Sequence, residues 1–547
     1  MATLLKTLDA PDAASQELER WIEATQNKSL LRFITCGSVD DGKSTLIGRL
    51  LYDSKLLFED QLSALASDSK KQGTQGEELD FALLVDGLSA EREQGITIDV
   101  AYRFFATDKR KFIVADTPGH EQYTRNMVTG ASTADAAVIL IDARKGILTQ
   151  TRRHSFLAQL IGIRHLVLAV NKMDLVGYGQ STFDRIVAQY GEFARQAGID
   201  EFTAIPVSGL NGDNITSRSP AMPWYGGPGL LEHLENLPVG GAGSAEPFRM
   251  AVQWVSRPSH NFRGYAGRIA SGRVGVGDAI KILPAGRKTF VERIVTSDGD
   301  LDHAVAGQSI TVTLTDEIDC SRGDVIVAAD NQTEPVSRIT ASLVWMSDEK
   351  LVPHRSYWLK VGTQTVSASV DLVDSIVDVN TLAARAGEPL CLNDIGQVEI
   401  DLDRPVPAVR YRENRKLGGF ILIDKMSHAT VAAGLIKDLP ANAVRQPSGV
   451  SAFDDIVWVT GPGRTTWAAA AVARLKAQGR QPVLIDDAAV AVFPGDDPVR
   501  TAREVALLVT SAGVPALITV QALPGETHPG RVIDSSKSED GGDEWVI

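Results

Sequence analysis

The chain has 547 residues, 44% of them hydrophobic and 23% charged, with a formal net charge of −14. That length predicts roughly three or four domains, and the acidic balance excludes a broad basic footprint for nucleic acid while leaving room for a local basic patch. The three cysteines, Cys36, Cys320 and Cys391, are far apart, so they form neither a metal-ligand spacing nor a disulfide framework and are expected to be buried small hydrophobes in a reducing compartment. The N-terminal MATLLKTLDAPDAA is too acidic, and its apolar run too short, for a signal peptide. No apolar run approaches the roughly 18 residues of a membrane span. The expectation is a cytoplasmic protein with no membrane partner.

Taken in chain order, residues 13–25 read as a short amphipathic helix. From 30 to 240 short apolar runs alternate with helical segments: Leu30–Cys36, Phe112–Ala115, Ala136–Ile141, Leu166–Val170 and Phe202–Val207. Leu46–Leu51 has helical character. This alternation predicts a doubly wound, mostly parallel α/β sheet. GGAGSAEP near Gly240 reads as a linker. Val- and Ile-rich runs broken by Gly-Asp turns then predict two small β-barrels, over 246–332 and 335–440. A second linker, 441–452, leads to a further α/β segment, 453–530, and an acidic tail, 531–547, expected to be disordered.

Gly37-Ser38-Val39-Asp40-Asp41-Gly42-Lys43-Ser44-Thr45 fits the phosphate-loop pattern G-x-x-x-x-G-K-[ST] between a strand and a helix. Its glycines let the backbone curl, its N–H groups form an anion nest, and the helix N-terminus adds positive potential. Lys43 is expected to reach β- and γ-phosphates, and Ser44 to bind Mg²⁺. Asp116-Thr117-Pro118-Gly119-His120 follows the strand-like KFIVA: Asp116 suits Mg²⁺ and the Gly119 N–H suits the γ-phosphate. Asn171-Lys172-Met173-Asp174 suits a guanine edge, since an Asp accepts from the ring N–H and exocyclic amine that adenine lacks. Ser208-Gly209-Leu210 supplies backbone to close over the base. Glu91-Arg-Glu-Gln-Gly-Ile-Thr97 supplies a threonine for Mg²⁺ and a mobile switch. In this order the segments predict a P-loop GTPase domain that takes GTP and Mg²⁺, with Ser44, Thr97 and Asp116 on the metal. His120, beside the γ-phosphate, is expected to position or polarise the attacking water, which with Lys43 and Thr97 makes the catalytic set. Asp40 is expected to turn outward; Asp41 has no evident role.

GxVDxGKST, ERExGITID, DTPGH, NKMD and MPWYGGPGLLEHL, followed by two barrels, resemble the translational GTPases, elongation factor Tu and its eukaryotic counterpart above all. Narrower stretches resemble the large, GTPase subunits of bacterial sulfate adenylyltransferase: GSVDDGKSTLIGRLLYDSK with its Ser38 and Asp41, AEREQGITIDVAYRFF, TQTRRHSFLAQLIGIRHLVLAVNKMDL and YRENRKLGGFILIDKMSHATVAAGLI. That resemblance implies a small-subunit partner holding the adenylyl-transfer site. ATP and sulfate would be used there to make adenosine 5′-phosphosulfate and pyrophosphate, driven by GTP hydrolysis in this chain. The competing reading is a translation factor that delivers aminoacyl-tRNA; the narrow motifs and the acidic balance favour the first, with no nucleic-acid partner. Tyr411–Arg415, YRENR, reads equally well as a partner contact or a solvated basic surface.

The segment from Phe453 resembles an adenylylsulfate kinase in outline: a strand, Ile456–Thr460, a glycine turn and an Ala-rich helix. Its phosphate loop is broken. Gly461-Pro-Gly-Arg-Thr-Thr466 is too short and carries Arg464 where lysine belongs, and a guanidinium fork does not replace a compact ammonium. Only Asp486 or Asp487 matches the expected acidic motif. This predicts a degenerate α/β P-loop-like domain without kinase activity.

Overall fold

The computed structural model describes residues 28–54, 80–85, 96–239, 246–259 and 262–440, together with positions 65, 67, 69 and 91 and short stretches between 456 and 534. The expected helix at 13–25, the two linkers' central residues, the turn at Gly461–Arg464 and the tail from Ser535 lie outside the described residues. The chain divides into two compact units, Met1–Pro440 and Ala441–Ile547.

The first unit opens with a six-stranded sheet: Ser29–Gly37 (β1), Ala101–Ala106 (β2), Arg110–Asp116 (β3), Ala136–Asp142 (β4), His165–Asn171 (β5) and Phe202–Pro206 (β6), in the order β2-β3-β1-β4-β5-β6. β4 is buried along its whole length, as a central parallel strand covered on both faces must be. Only β2 runs antiparallel. It was not foreseen, because Tyr102 and Phe104 break the inward alternation by facing outward, Phe104 being 69% exposed. The five parallel strands direct their C-terminal ends to one edge, where doubly wound sheets bind ligands. Helices Lys43–Asp53 (α1), Thr124–Ala131 (α2), Thr149–Leu160 (α3), Gln180–Gln196 (α4) and Leu230–Asn236 (α5) cover the sheet. α1 buries Leu46, Ile47, Leu50 and Leu51, a spacing that keeps one helical face on the core. Its Gly48 is obligatory: a Cβ there would lie 2.0 Å from the Phe81 carbonyl oxygen. Within MPWYGGPGLLEHL, the Trp224 indole donates to Tyr178 O at 2.9 Å and packs at a tilt on Phe183, tying this segment to α4, while Leu230 and Leu234 of α5 join the apolar core on the other face of the sheet, with α1.

Two closed antiparallel barrels of six strands follow. The first runs Ala279–Leu283, Val325–Ala328, Arg249–Ala251, Phe262–Ser271, Ser309–Leu314, Arg287–Thr296 and back to Ala279–Leu283. The second runs Ser356–Val361, Gly419–Asp424, Thr430–Asp438, Pro335–Trp345, Ile395–Pro407, Gln364–Val377 and back. Closure removes exposed sheet edges. In SYWLKV of Ser356–Val361 burial alternates strictly, with Tyr357, Leu359 and Val361 inside. Cys36 and Cys320 are buried, but Cys391 is only half-buried in a loop of the second barrel, a departure from the expected burial of all three.

In the YRENR segment Tyr411, Asn414 and Arg415 fasten the domains of this unit together, while Arg412 and Glu413 are exposed. The Tyr411 hydroxyl donates to Ile161 O at 2.9 Å and the Arg415 guanidinium to Ala134 O at 3.4 Å, both on the sheet domain. Asn414 Nδ2 donates to Ala270 O of the first barrel at 3.1 Å. Its oxygen meanwhile caps the short helix Arg415–Gly418 by accepting from Lys416 and Leu417 N–H. Val344, Val379 and Ile395 of the second barrel join the apolar core under α2 and α3.

In the second unit, Val483–Ile485, Ala516–Ile518, Ile456–Thr460 and Arg531–Asp534 form a parallel sheet in that order. The acidic tail therefore begins after Asp534 rather than at 531, since Arg531–Asp534 pairs with the first strand.

Candidate GTP site

A cavity of about 480 Å³ lies at the C-terminal edge of the first sheet, lined by Val39, Asp40, Gly42, Lys43, Ser44, Thr45 and Thr97 at one end and by Asn171, Lys172, Asp174, Ser208, Gly209 and Leu210 at the other. Gly119 and His120 close its side, and Asp80, Ala82, Ile96 and Leu175 complete it. Each element delivers its part because a loop follows the end of β1, β3, β5 or β6 at the same sheet edge.

At the phosphate end Gly42, at φ 89°, turns the chain into α1. Lys43 is its first residue, 7% exposed, with Nζ donating to Ser38 O at 2.8 Å. Burial pulls its pKa down, and Asp116 and Asp41 pull it back. Gly119 permits close approach of the neighbouring loop: a Cβ would lie 2.5 Å from Lys43 Nζ and 2.8 Å from Ser38 C. Ser44 Oγ donates to Asp116 Oδ2 at 2.7 Å and lies 3.3 Å from Thr97 Oγ1. Asp116 is fully buried, and Thr35 Oγ1 donates to its other oxygen at 3.0 Å. Burial raises its pKa, against the opposing pull of Ser44 and Lys43. Two hydroxyls and one buried carboxylate form an all-oxygen donor set, which fits a hard dication that keeps waters and phosphate oxygens as its other ligands.

Three predicted contact residues face away from the cavity. Thr117 is buried and donates through Oγ1 to Thr35 O at 2.6 Å, Pro118 is buried behind it, and Met173 belongs to the apolar core. Gly37, Ser38 and Asp41 form the floor of the loop rather than the cavity wall.

At the base end Asn171 lines the cavity, as expected, and also ties two loops together. Its side chain is engaged at both ends, Nδ2 donating to Asp41 O at 2.8 Å and Oδ1 accepting from Gly209 N at 2.9 Å. It therefore braces the phosphate loop against the Ser208–Leu210 loop, and Asp174 lines the cavity beside it. Lys172, in the left-handed region at φ 62°, lies across the phosphate loop, its ammonium donating to Asp40 O and pairing with Asp142 at 3.2 Å. Asp142 also holds Arg144 at 2.6 Å. Burial pushes its pKa up, but the hydrogen bonds from Arg144 and Lys172 outweigh it and hold the carboxyl below the usual carboxylate range. The Asp40 side chain turns outward, 3.9 Å from Lys145.

Several supporting residues escaped the sequence reading. Glu91 Oε1 accepts from Ile98 N at 2.9 Å and Asp99 N at 3.2 Å, while Asn126 of α2 donates to Ile98 O at 2.7 Å; together they hold Thr97 beside Ser44. Arg49 of α1 donates to Leu210 O at 3.2 Å. His154 of α3 is fully buried and its Nδ1 accepts from Gly37 N at 3.1 Å; burial, with help from Lys43, pushes its pKa down to about 3, so it is neutral. Its sequence signal was a lone histidine on a helix, which carries no ligand information.

His120 is exposed, and its Nδ1 accepts from Gln122 N at 3.3 Å. In the neutral ring the proton is then assigned to Nε2, so the group presents an N–H donor. Glu121, next in chain, accepts from Asn393 of the second barrel through its carbonyl at 3.1 Å and pairs with Arg153 at 2.7 Å.

This is the site of a guanine-nucleotide-binding P-loop protein. The family model for the elongation factor Tu GTP-binding domain matches residues 28–319, and the GTP-eEF1A C-terminal domain-like model matches residues 338–437. The chain belongs to the translational GTPase family, with an elongation factor Tu-like GTP-binding domain followed by the family's C-terminal domain. Among solved structures it is similar to sup35 complexed with GDP, at 22% identity over 76% of this chain and 95% of that one, with a TM-score of 0.35. It is also similar to sup35 complexed with GMPPNP, at 22% identity over 79% of this chain and 99% of that one, with a TM-score of 0.35. GTP binding and hydrolysis follow from the GTP-binding domain. Among the described residues no helix is long and apolar enough to cross a membrane.

Proposed function

We propose that this chain is the GTPase subunit of a heteromeric sulfate adenylyltransferase. The convergence of Lys43, Ser44, Thr97 and Asp174 on one cavity, with Asp116 buried behind Ser44, carries the GTP assignment. The phosphate-loop residues Ser38 and Asp41 and the stretches that accompany them favour the sulfate-activating branch over translation factors. Hydrolysis here would drive formation of adenosine 5′-phosphosulfate and pyrophosphate from ATP and sulfate on a small partner subunit.

Lys43 and the N–H groups of the loop bind the β- and γ-phosphates, and Asp174 accepts from the guanine edge. Ser44, Thr97 and Asp116 would hold Mg²⁺, which supplies charge neutralisation at the transferring phosphoryl group. The His120 Nε2–H holds the attacking water by its oxygen, a positioning role rather than proton abstraction in the tautomer described. Coupling to the partner runs through the Asp116–Glu121 loop: its end is tied to the second barrel by Asn393, so a nucleotide-dependent shift in that loop bears on the barrel. The second unit is a degenerate kinase-like domain without phosphoryl-transfer activity, because Arg464 and the short turn leave no lysine-bearing nest.

Co-expression with a small-subunit candidate is expected to give GTP-stimulated, sulfate-dependent pyrophosphate release from ATP. Aminoacyl-tRNA binding without that activity would replace this reading with the translation-factor one.

A further inference from the structure

Under the phosphate loop lies a carboxylate that nucleotide binding does not call for. Asp41 is 1% exposed. Its Oδ2 accepts from Ser38 N at 2.6 Å, and its Oδ1, also buried, has no hydrogen-bond partner. Burial pushes its pKa up to about 6; Lys43 and the Ser38 N–H oppose this, Asp142 adds to it, and Lys145 opposes it weakly. A buried carboxylate with one oxygen unsatisfied lowers stability relative to a neutral side chain of the same shape, so packing does not explain it.

Its connections do. Gly37 N–H is taken from one side by His154 and Ser38 N–H from below by Asp41. The Asp41 carbonyl accepts from Asn171, whose oxygen accepts from Gly209. One hydrogen-bonded path thus runs from the phosphate loop to the base loop. Gly37 leaves no slack in it, since a Cβ there would lie 2.6 Å from Leu140 O and 3.0 Å from Asp41 Oδ2.

We propose that Asp41 is a positioning residue of the GTP site: its carboxylate fixes the Gly37–Ser38 peptide from below, setting the register of the loop before nucleotide arrives. The inference rests on the assignment of this loop to GTP phosphates. With two successive N–H groups already committed to side chains, the phosphates meet only the N–H groups that follow, in a preorganised nest whose ordering is complete before binding. His154 is the companion pin on α3.

The test is stopped-flow release of N-methylanthraniloyl-GDP from the full chain, paired with thermal melting of the nucleotide-free protein. Asp41→Ala is expected to speed release about tenfold or more, the scale of losing a charge-assisted hydrogen bond. Asp41→Asn keeps a neutral acceptor of the same shape, so release is intermediate, while the nucleotide-free melting temperature rises by about 2 °C or more as the buried charge is removed. Release at the wild-type rate in Asp41→Asn and His154→Gln overturns the proposal. So does faster release accompanied by a lower melting temperature in Asp41→Asn, which marks a merely structural group. Wild-type protein that binds no labelled GDP overturns the assignment of the cavity itself; binding wild type with indistinguishable variants overturns only the role of Asp41.

Discussion

The sheet that begins at Ser29 and the sheet that begins at Ile456 share an arrangement. In each the first strand lies inside, with parallel partners on both sides, Arg110–Asp116 and Ala136–Asp142 in one and Ala516–Ile518 and Arg531–Asp534 in the other. Each first strand runs into a glycine turn in the sequence. The first turn delivers Lys43 at a helix N-terminus, beside Ser44, Thr97 and Asp116. The second reads Gly461-Pro-Gly-Arg464 and supplies neither the length nor the lysine. Topology brings a strand end to the place where ligands bind; the side chains after the strand decide whether anything binds there.

The sharpest way to break this comparison is Lys43→Ala, which gives the first site the deficit of the second. Loss of the ammonium is expected to lower GTP turnover by about 10³-fold, read by phosphate release; unchanged turnover would remove the basis for separating the two sheets. The His120→Ala variant tests the group proposed to hold the attacking water at the first site. Single-turnover hydrolysis is expected to slow about 10²-fold with GDP affinity retained, and a loss of affinity instead would make His120 a binding residue. Asp174→Asn asks whether the base end is as specific as its lone facing carboxylate implies: preference for GTP over xanthosine triphosphate is expected to fall by about tenfold or more, measured by competition. Purified protein is expected to show no phosphorylation of adenylylsulfate, and detection of that product would restore function to the second sheet. The smallest effect is expected at Tyr411→Phe, which deletes one hydrogen bond to Ile161 O and about 1 kcal/mol of stability, read by denaturant unfolding.

Much of the first domain is legible in the sequence because its strands are short, apolar and nearly continuous, as the fully buried β4 demands. β2 was not legible, since an edge strand facing outward with Phe104 and Tyr102 carries no inward pattern. The phosphate-loop lysine, Asp116 and Asp174 were legible because their chemistry requires those residue types at those spacings. Asn171 was assigned to the base, and its brace between two loops could be seen only with Gly209 and Asp41 in place. Thr117, Pro118 and Met173 sit within the motifs yet face the core, because a motif gives adjacency along the chain and not direction.

The sequence by itself determined the nucleotide class, the α/β-then-barrel order and the arginine that stands in place of a lysine in the turn at Gly461, all of which rest on local residue types and periodicity. Only tertiary structure showed what Asp41, His154, Glu91 and Tyr411 touch. His154 and Tyr411 find their partners more than a hundred residues away, and Asp41 and Glu91 find theirs by the turn of a loop, so these contacts come from chain geometry and burial that no spacing of residue types records.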